Sequence, residues 1–175
     1  AVDKFGNYSE VKEFILAVDS EYPVIGQSKF VQNEVTENIA ANAIFKKNTN
    51  NGFTLSGSVT DSVKLENVTV SGSVDGADAV DFLNITVPEA NKNSYTWEKA
   101  FVTGSENSSA ENYLKDGTWT ITLSVKDGSL HESKKNFTLI IDTTAPVVSI
   151  TNTDEYINSS ANKFTGTAED DSGAV

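Results

Sequence analysis

The sequence predicts an all-β protein, an antiparallel β-sandwich of about seven strands repeated in tandem, and three observations carry the prediction. An eleven-residue phrase occurs twice, 123 residues apart, as Phe14-Ile15-Leu16-Ala17-Val18-Asp19-Ser20-Glu21-Tyr22-Pro23-Val24 and Phe137-Thr138-Leu139-Ile140-Ile141-Asp142-Thr143-Thr144-Ala145-Pro146-Val147, with Phe, Leu, Asp, Pro and Val in register. Self-similarity at a fixed spacing marks an array of like units. Apolar residues alternate with period two wherever they cluster, which is how a strand buried on one face reads. Asp-Gly, Gly and Pro punctuate these runs at the spacing of a two-sheet fold, with a closed barrel as the alternative.

The elements follow in order. A short first strand is expected near Val24 to Val31. Phe53, Leu55 and Val59 share a face of the second strand, with Gly57 in the same parity allowing a close approach or a bulge. Val68, Val70 and Val74 repeat the pattern up to Asp75-Gly76, then Leu83, Ile85 and Val87 before Pro88, then Tyr95, Trp97 and Phe101. The clearest strand is Thr118 to Val125, started by Asp116-Gly117 and ended by Asp127-Gly128, with Trp119, Ile121, Leu123 and Val125 on one face. Phe137 to Ile141 closes the set and pairs with it through a hairpin from Lys126 to Lys135. Between Asn33 and Asn50, the spacing of Ile39, Ala43 and Ile44 suits a short helical turn.

The repeat also sets the boundaries. Residues 1–18 are expected to be the last strands of a preceding unit, 19–142 a complete unit, and 143–175 the first strands of a following one. Each flanking piece is shorter than the roughly 40 residues a chain needs to fold unaided. Pro23 lies 34 positions before Gly57, whereas Pro146 lies 20 before Gly166, so the central unit carries about 14 extra residues within 26–52.

Composition narrows the function classes. There is no Cys, which excludes disulfides and thiolate metal sites, and no Met even at position 1, as expected of a processed or excised segment. A net charge of −12 repels phosphate backbones and anionic lipid, so no nucleic-acid partner is expected. No apolar run approaches the length of a membrane helix, and no membrane insertion is expected of this segment.

Ile141-Asp142-Thr143-Thr144-Ala145-Pro146-Val147, followed by Phe164-Thr165-Gly166-Thr167-Ala168-Glu169-Asp170-Asp171-Ser172-Gly173, resembles the bacterial immunoglobulin-like (Big-type) tandem repeats of large surface proteins and adhesins. In that family an Asp-x-Thr-Ala-Pro linker follows the last strand, and a Gly-x-Ala-x-Asp stretch ends the second. Asp3-Lys4-Phe5-Gly6-Asn7 is similar to the family's Asp-x-x-Gly-Asn turn, where the central unit has Lys126-Asp127-Gly128. The resemblance covers both junctions and the last two strands and fades across 26–52 and 76–112. It implies an extracellular rod segment that spaces or presents a binding tip.

Candidate chemistry concentrates at the junctions. In a sandwich of this kind the linker from one unit meets the loops after the second and sixth strands of the next. Asp19 should therefore approach Asp61 and Asp127, and Asp142 should approach Asp170 and Asp171, with Asp116 nearby. Three carboxylates with backbone carbonyls could hold calcium, which takes six to eight oxygens; the competing reading is that Asp is common in turns. Lys99 has inward parity, as a Lys–Asn isopeptide bond would need, although such lysines more often snorkel to water. Trp97, Trp119, Tyr95 and Tyr113 are the rings available to stack on a carbohydrate, but both tryptophans have core parity. His131, the only histidine, lies in a polar hairpin turn with no nucleophile motif, so no catalytic residue is assigned. The sequons at Asn7, Asn67, Asn84, Asn107, Asn136 and Asn158 carry meaning only in a host that glycosylates.

The function expected is a non-catalytic spacer or stalk of a bacterial cell-surface or secreted adhesin-like protein, its partners being neighbouring repeats. The alternatives are a module that binds carbohydrate or a host surface protein, and an accessory domain of an extracellular polysaccharide-degrading enzyme. Fold alone does not choose among them.

Overall fold

The computed structural model describes residues 1–16, 18–40, 44–47, 52–104, 108–150 and 165–170, and the described part is all-β. One sheet has the order β2(Val35–Ile39), β1(Val24–Gln32), β4(Phe53–Thr60), β7(Ser94–Phe101). The other has the order β3(Ile44–Lys47), β9(Glu132–Ile141), β8(Gly117–Asp127), β5(Leu65–Val74), β6(Val80–Thr86). A separate pair joins β10(Val147–Ile150) to β11(Gly166–Glu169). Every pairing is antiparallel except β3 with β9, which is parallel.

The seven expected strands are β1, β4, β5, β6, β7, β8 and β9. Their inward residues form one core, with Phe30, Leu55, Val59, Trp97 and Phe101 from one sheet and Val68, Val70, Ile121, Leu123, Phe137 and Leu139 from the other. The alternation read in β8 holds, since Trp119, Ile121, Leu123 and Val125 are all buried. Phe82 of β6 crosses between the sheets and meets the Phe101 ring edge-on at 5.1 Å.

Two features differ from expectation. The inserted segment forms strands, not a helical turn: β2 folds back on β1, and β3 joins the edge of the other sheet from Ile44↔Thr138 to Lys47↔Ile141. Local apolar spacing suits a helix, but Asn33 and Glu34, both at positive φ, turn β2 into a tight hairpin with β1, and β3 takes its ladder partners from β9 far along the chain. Residues 41–43, within the expected turn, lie outside the described residues. In β6, Leu83 and Phe82 both pack against the core, because a register shift between Val70 and Ser71 leaves Phe82 unpaired. An extra residue in one strand turns a neighbour to the same side and breaks strict alternation.

The glycine expected to allow a close approach does so. Gly57 pairs with Trp97, and a Cβ at Gly57 would lie 2.9–3.0 Å from the indole ring. The adjustment sits on the opposite strand, as a bulge between Ile25 and Ser28.

Candidate functional site

The hairpin turn joining β8 to β9 carries the most constrained polar group. Asp127 is fully buried, and its Oδ1 accepts the backbone N–H groups of Ser129 at 2.8 Å and His131 at 2.9 Å. Its Oδ2 faces His131 Nδ1 at 2.8 Å, and its own N–H donates to His131 O at 3.1 Å. The turn needs a left-handed residue, which is Leu130 at φ 71°. The His131 ring lies 4.9 Å from that of Tyr22 on the linker.

The segment carrying Asp19 meets this turn. A ligand-capable atom from each of Asp19, Asp127 and His131 lies within 4.8 Å of the other two. Asp19 Oδ1 accepts the N–H of Glu21 at 3.1 Å, while its Oδ2 is buried with no hydrogen-bond partner. Asp61 lies outside this group but on the adjoining loop, which is tied to the turn by Gly128 N–H donating to Lys64 O at 2.8 Å. Its Oδ1 accepts from Val63 and Lys64 N–H at 2.8 and 2.7 Å, and its Oδ2 is buried without a partner. Sequence reading grouped Asp19 with both Asp61 and Asp127; Asp61 is not in the group, and His131, which is, was not named for it.

The signal that finds His131 is inside the chain. At the N-terminus, Asp3 Oδ1 accepts the N–H groups of Phe5 and Asn7 at 2.8 and 2.9 Å, and Asp3 N–H donates to Asn7 O at 2.9 Å. Asn7 Nδ2 donates to Asp3 Oδ2 at 2.9 Å, and Gly6 holds the left-handed position at φ 87°. Asp127 to His131 is thus the same five-residue turn, with Leu130 for Gly6 and His131 for Asn7. The turn at Asp127 keeps the geometry of the turn at Asp3 without its Gly or its Asn.

At the other end, Asp116 gathers the second linker. Its carboxylate accepts Thr143 N–H at 3.1 Å and the Thr143 hydroxyl at 2.9 Å. Asp142 Oδ1 accepts Thr144 N–H at 3.0 Å, the same local turn as Asp19 with Glu21. Asp170 follows β11, and Asp171 lies outside the described residues; among the described residues the structure gathers no metal-ligating group around Asp142.

On the outer face of the β1–β4–β7 sheet, Lys29, Ser56, Gly57, Thr96, Trp97 and Glu98 are among the residues that line an open groove of about 380 Å³. The Trp97 ring is only 3% exposed and Trp119 only 6%, so neither offers a stacking face to a sugar. Tyr95 and Tyr113 are half-buried, and Lys99 lies half-buried opposite Leu55. Compared with known proteins, the chain matches no family model and none of the curated proteins.

Proposed function

We propose that this chain is a stretch of a tandem array of immunoglobulin-like units that acts as a non-catalytic spacer in a bacterial surface or secreted protein. The observation that carries the reading is where the two linkers attach. Asp19 packs at the Asp127 end of β8, and Thr143 packs at the opposite end, on Asp116 beside Gly117. The two linkers thus leave from opposite ends of one 11-residue strand, separated by roughly 33 Å at about 3.3 Å per residue. Units joined this way propagate end to end.

Pairing registers support the array. Val24↔Thr60 and Ile25↔Val59 in β1–β4 correspond, through the two copies of the repeat, to Val147↔Glu169 and Val148↔Ala168 in β10–β11. Likewise the Val2↔Tyr8 bridge takes the place of Lys126↔Glu132 in β8–β9. Strand order supports the immunoglobulin-like assignment, with first, second and fifth core strands in one sheet and third, sixth and seventh in the other.

Tension suits this topology. Force from the two ends enters β1 at Val24 and β9 at Ile141, and each is held between two neighbours, β1 between β2 and β4 and β9 between β3 and β8, so neither end strand is a free edge that peels away alone. The test is force–extension of a polypeptide carrying this chain between handles. Residues 19–142 should unfold in one step, adding about 400 Å of contour at roughly 3.3–3.6 Å per residue. Gradual yielding without a step would contradict the spacer reading, and specific hits on a glycan array would favour the carbohydrate-binding module.

A further inference from the structure

We propose that each linker of the array is a rigid joint, gripped at different positions by the unit before it and by the unit after it. Resting on the array reading above, this adds one property: neighbouring units keep a fixed orientation. Relative motion is otherwise the default for units joined by a short connection.

The two linkers show the two grips separately. Residues 19–23 enter the central unit and residues 142–146 leave it, and the repeat aligns them position by position. In the entering linker, the unit that follows holds the first, fourth and fifth positions. Asp19 lies with Asp127 and His131, the Tyr22 ring packs on His131 at 4.9 Å, and Pro23 is buried. The second and third positions, Ser20 and Glu21, are exposed. In the leaving linker, the unit that precedes holds those two. Asp116 accepts the Thr143 N–H at 3.1 Å, the Thr143 hydroxyl at 2.9 Å and the Thr144 hydroxyl at 3.4 Å. Ala145 and Pro146, the fourth and fifth positions, are exposed.

Shape and complementarity make these the two halves of one joint. The first-position Asp accepts the N–H of the third residue in both linkers, Asp19 from Glu21 at 3.1 Å and Asp142 from Thr144 at 3.0 Å. The linkers share a local turn, so one stands for the other. The positions held from each side do not overlap, and both grips can therefore close on the same five residues. Ser20 also offers a hydroxyl where Thr143 has one, the donor that a carboxylate placed like Asp116 on a preceding unit would need.

The Asp116 grip is itself firmly mounted. Its loop is anchored by Leu114, which is fully buried and donates its N–H to Val102 O at 2.9 Å, and by Trp119, whose Nε1–H donates to Lys115 O at 2.9 Å. Hydrogen bonds to an ionised carboxylate are roughly twice as strong as neutral ones.

The test has two arms. In the full chain, the Thr143 and Thr144 amides should show NMR order parameters of about 0.85, as in a rigid backbone, falling below about 0.6 in Asp116→Ala. Thr143→Val combined with Thr144→Val removes both hydroxyls but keeps Asp116, and should loosen the same amides even if Asp116→Ala does not fold. For the second arm, residues 24–146 are repeated between Pro146 and Val147 of the full chain, so that one linker has a whole unit on each side. The chain has no cysteine, so Asn136→Cys in each copy, at an exposed position, places one spin label per unit. Pulsed electron paramagnetic resonance should read one narrow distance, broadened by Asp116→Ala in the first copy. Low order at Thr143 and Thr144 in the parent, a broad distance between two folded copies, or indifference of both readouts to the variants would overturn the joint and leave the array standing. A repeated copy that does not fold would overturn the array reading and the joint with it.

Discussion

Asn7 and His131 hold the same place in two copies of one turn. Asn7 Nδ2 reaches Asp3 Oδ2 at 2.9 Å, and His131 Nδ1 reaches Asp127 Oδ2 at 2.8 Å, each from the fifth residue to the first. The backbone bonds around them also agree: Gly6 N–H donates to Asp3 O at 3.1 Å and Leu130 N–H to Asp127 O at 3.3 Å. What stabilises the turn is a carboxylate collecting backbone donors, and this tolerates exchange at the fourth and fifth positions.

The exchange at the fourth position has a cost that can be measured. Leu130 sits at φ 71° and is 81% exposed, so it bears left-handed strain while burying little. The same position is glycine in the first turn. Left-handed backbone costs a residue with a Cβ about 1–2 kcal/mol, part of which glycine returns as chain entropy. Leu130→Gly should therefore stabilise the protein by about 1 kcal/mol, raising the melting midpoint by roughly 2–4 °C. A lower midpoint by calorimetry would show that Leu130 makes a contribution other than strain.

Gly57 should be the opposite case. Its missing Cβ is where the Trp97 indole lies, at 2.9–3.0 Å, and Trp97 is nearly fully buried with little room to retreat. Overpacking of this kind costs about 1–3 kcal/mol. Gly57→Ala should shift the urea midpoint down accordingly and change the fluorescence of Trp97, while Gly76→Ala, in a turn with open space around it, should leave that fluorescence unchanged.

The inter-sheet contact of Phe101 ranks the core. Its ring stacks on Phe53 at 5.2 Å and meets Phe82 at 5.1 Å, and it is 2% exposed. Phe101→Ala should cost about 3–5 kcal/mol, the range for a buried phenylalanine. Phe82→Ala should cost less, because Phe82 is only half-buried. Equal losses in chemical denaturation would mean that the bulged Phe82 closes the core as fully as Phe101 does.

These residues also show what was legible beforehand. Trp119, Ile121, Leu123 and Val125 were readable because one face of β8 is buried along its length and a period of two follows directly. Phe82 was not, because a bulge breaks the period, and Ile39 with Ile44 misled because the first pairs in a tight hairpin with β1 and the second with the distant β9, and both pairings overrode local spacing. Asp19 and Asp127 lie together, whereas Asp61, expected beside them, stays on the adjoining loop because its carboxylate is taken up by the N–H groups of Val63 and Lys64. His131 was hidden because the recognisable glycine of its turn had become Leu130, and only the superposition of Asp3 on Asp127 brings it out.

The first turn makes a pH prediction with a definite sign. Asp3 is held below the ordinary 3.8, first by the side-chain bond from Asn7 and then by the backbone N–H groups of Asn7 and Phe5. Because its folded value is depressed, the unfolded segment binds the proton more readily. The stabilisation is therefore complete above about 3.8 and is lost as pH falls through the lowered folded value. An NMR titration of the Asp3 side-chain carbon, read with the Phe5 and Asn7 amides, should place their common midpoint below 3.8. Asn7→Ala removes the largest cause and should move that midpoint up toward 3.8, with the amide shifts following. A parent midpoint at or above 3.8 would mean that the carboxylate does not hold these donors in solution, and the equivalence with Asp127 would then rest on backbone geometry alone.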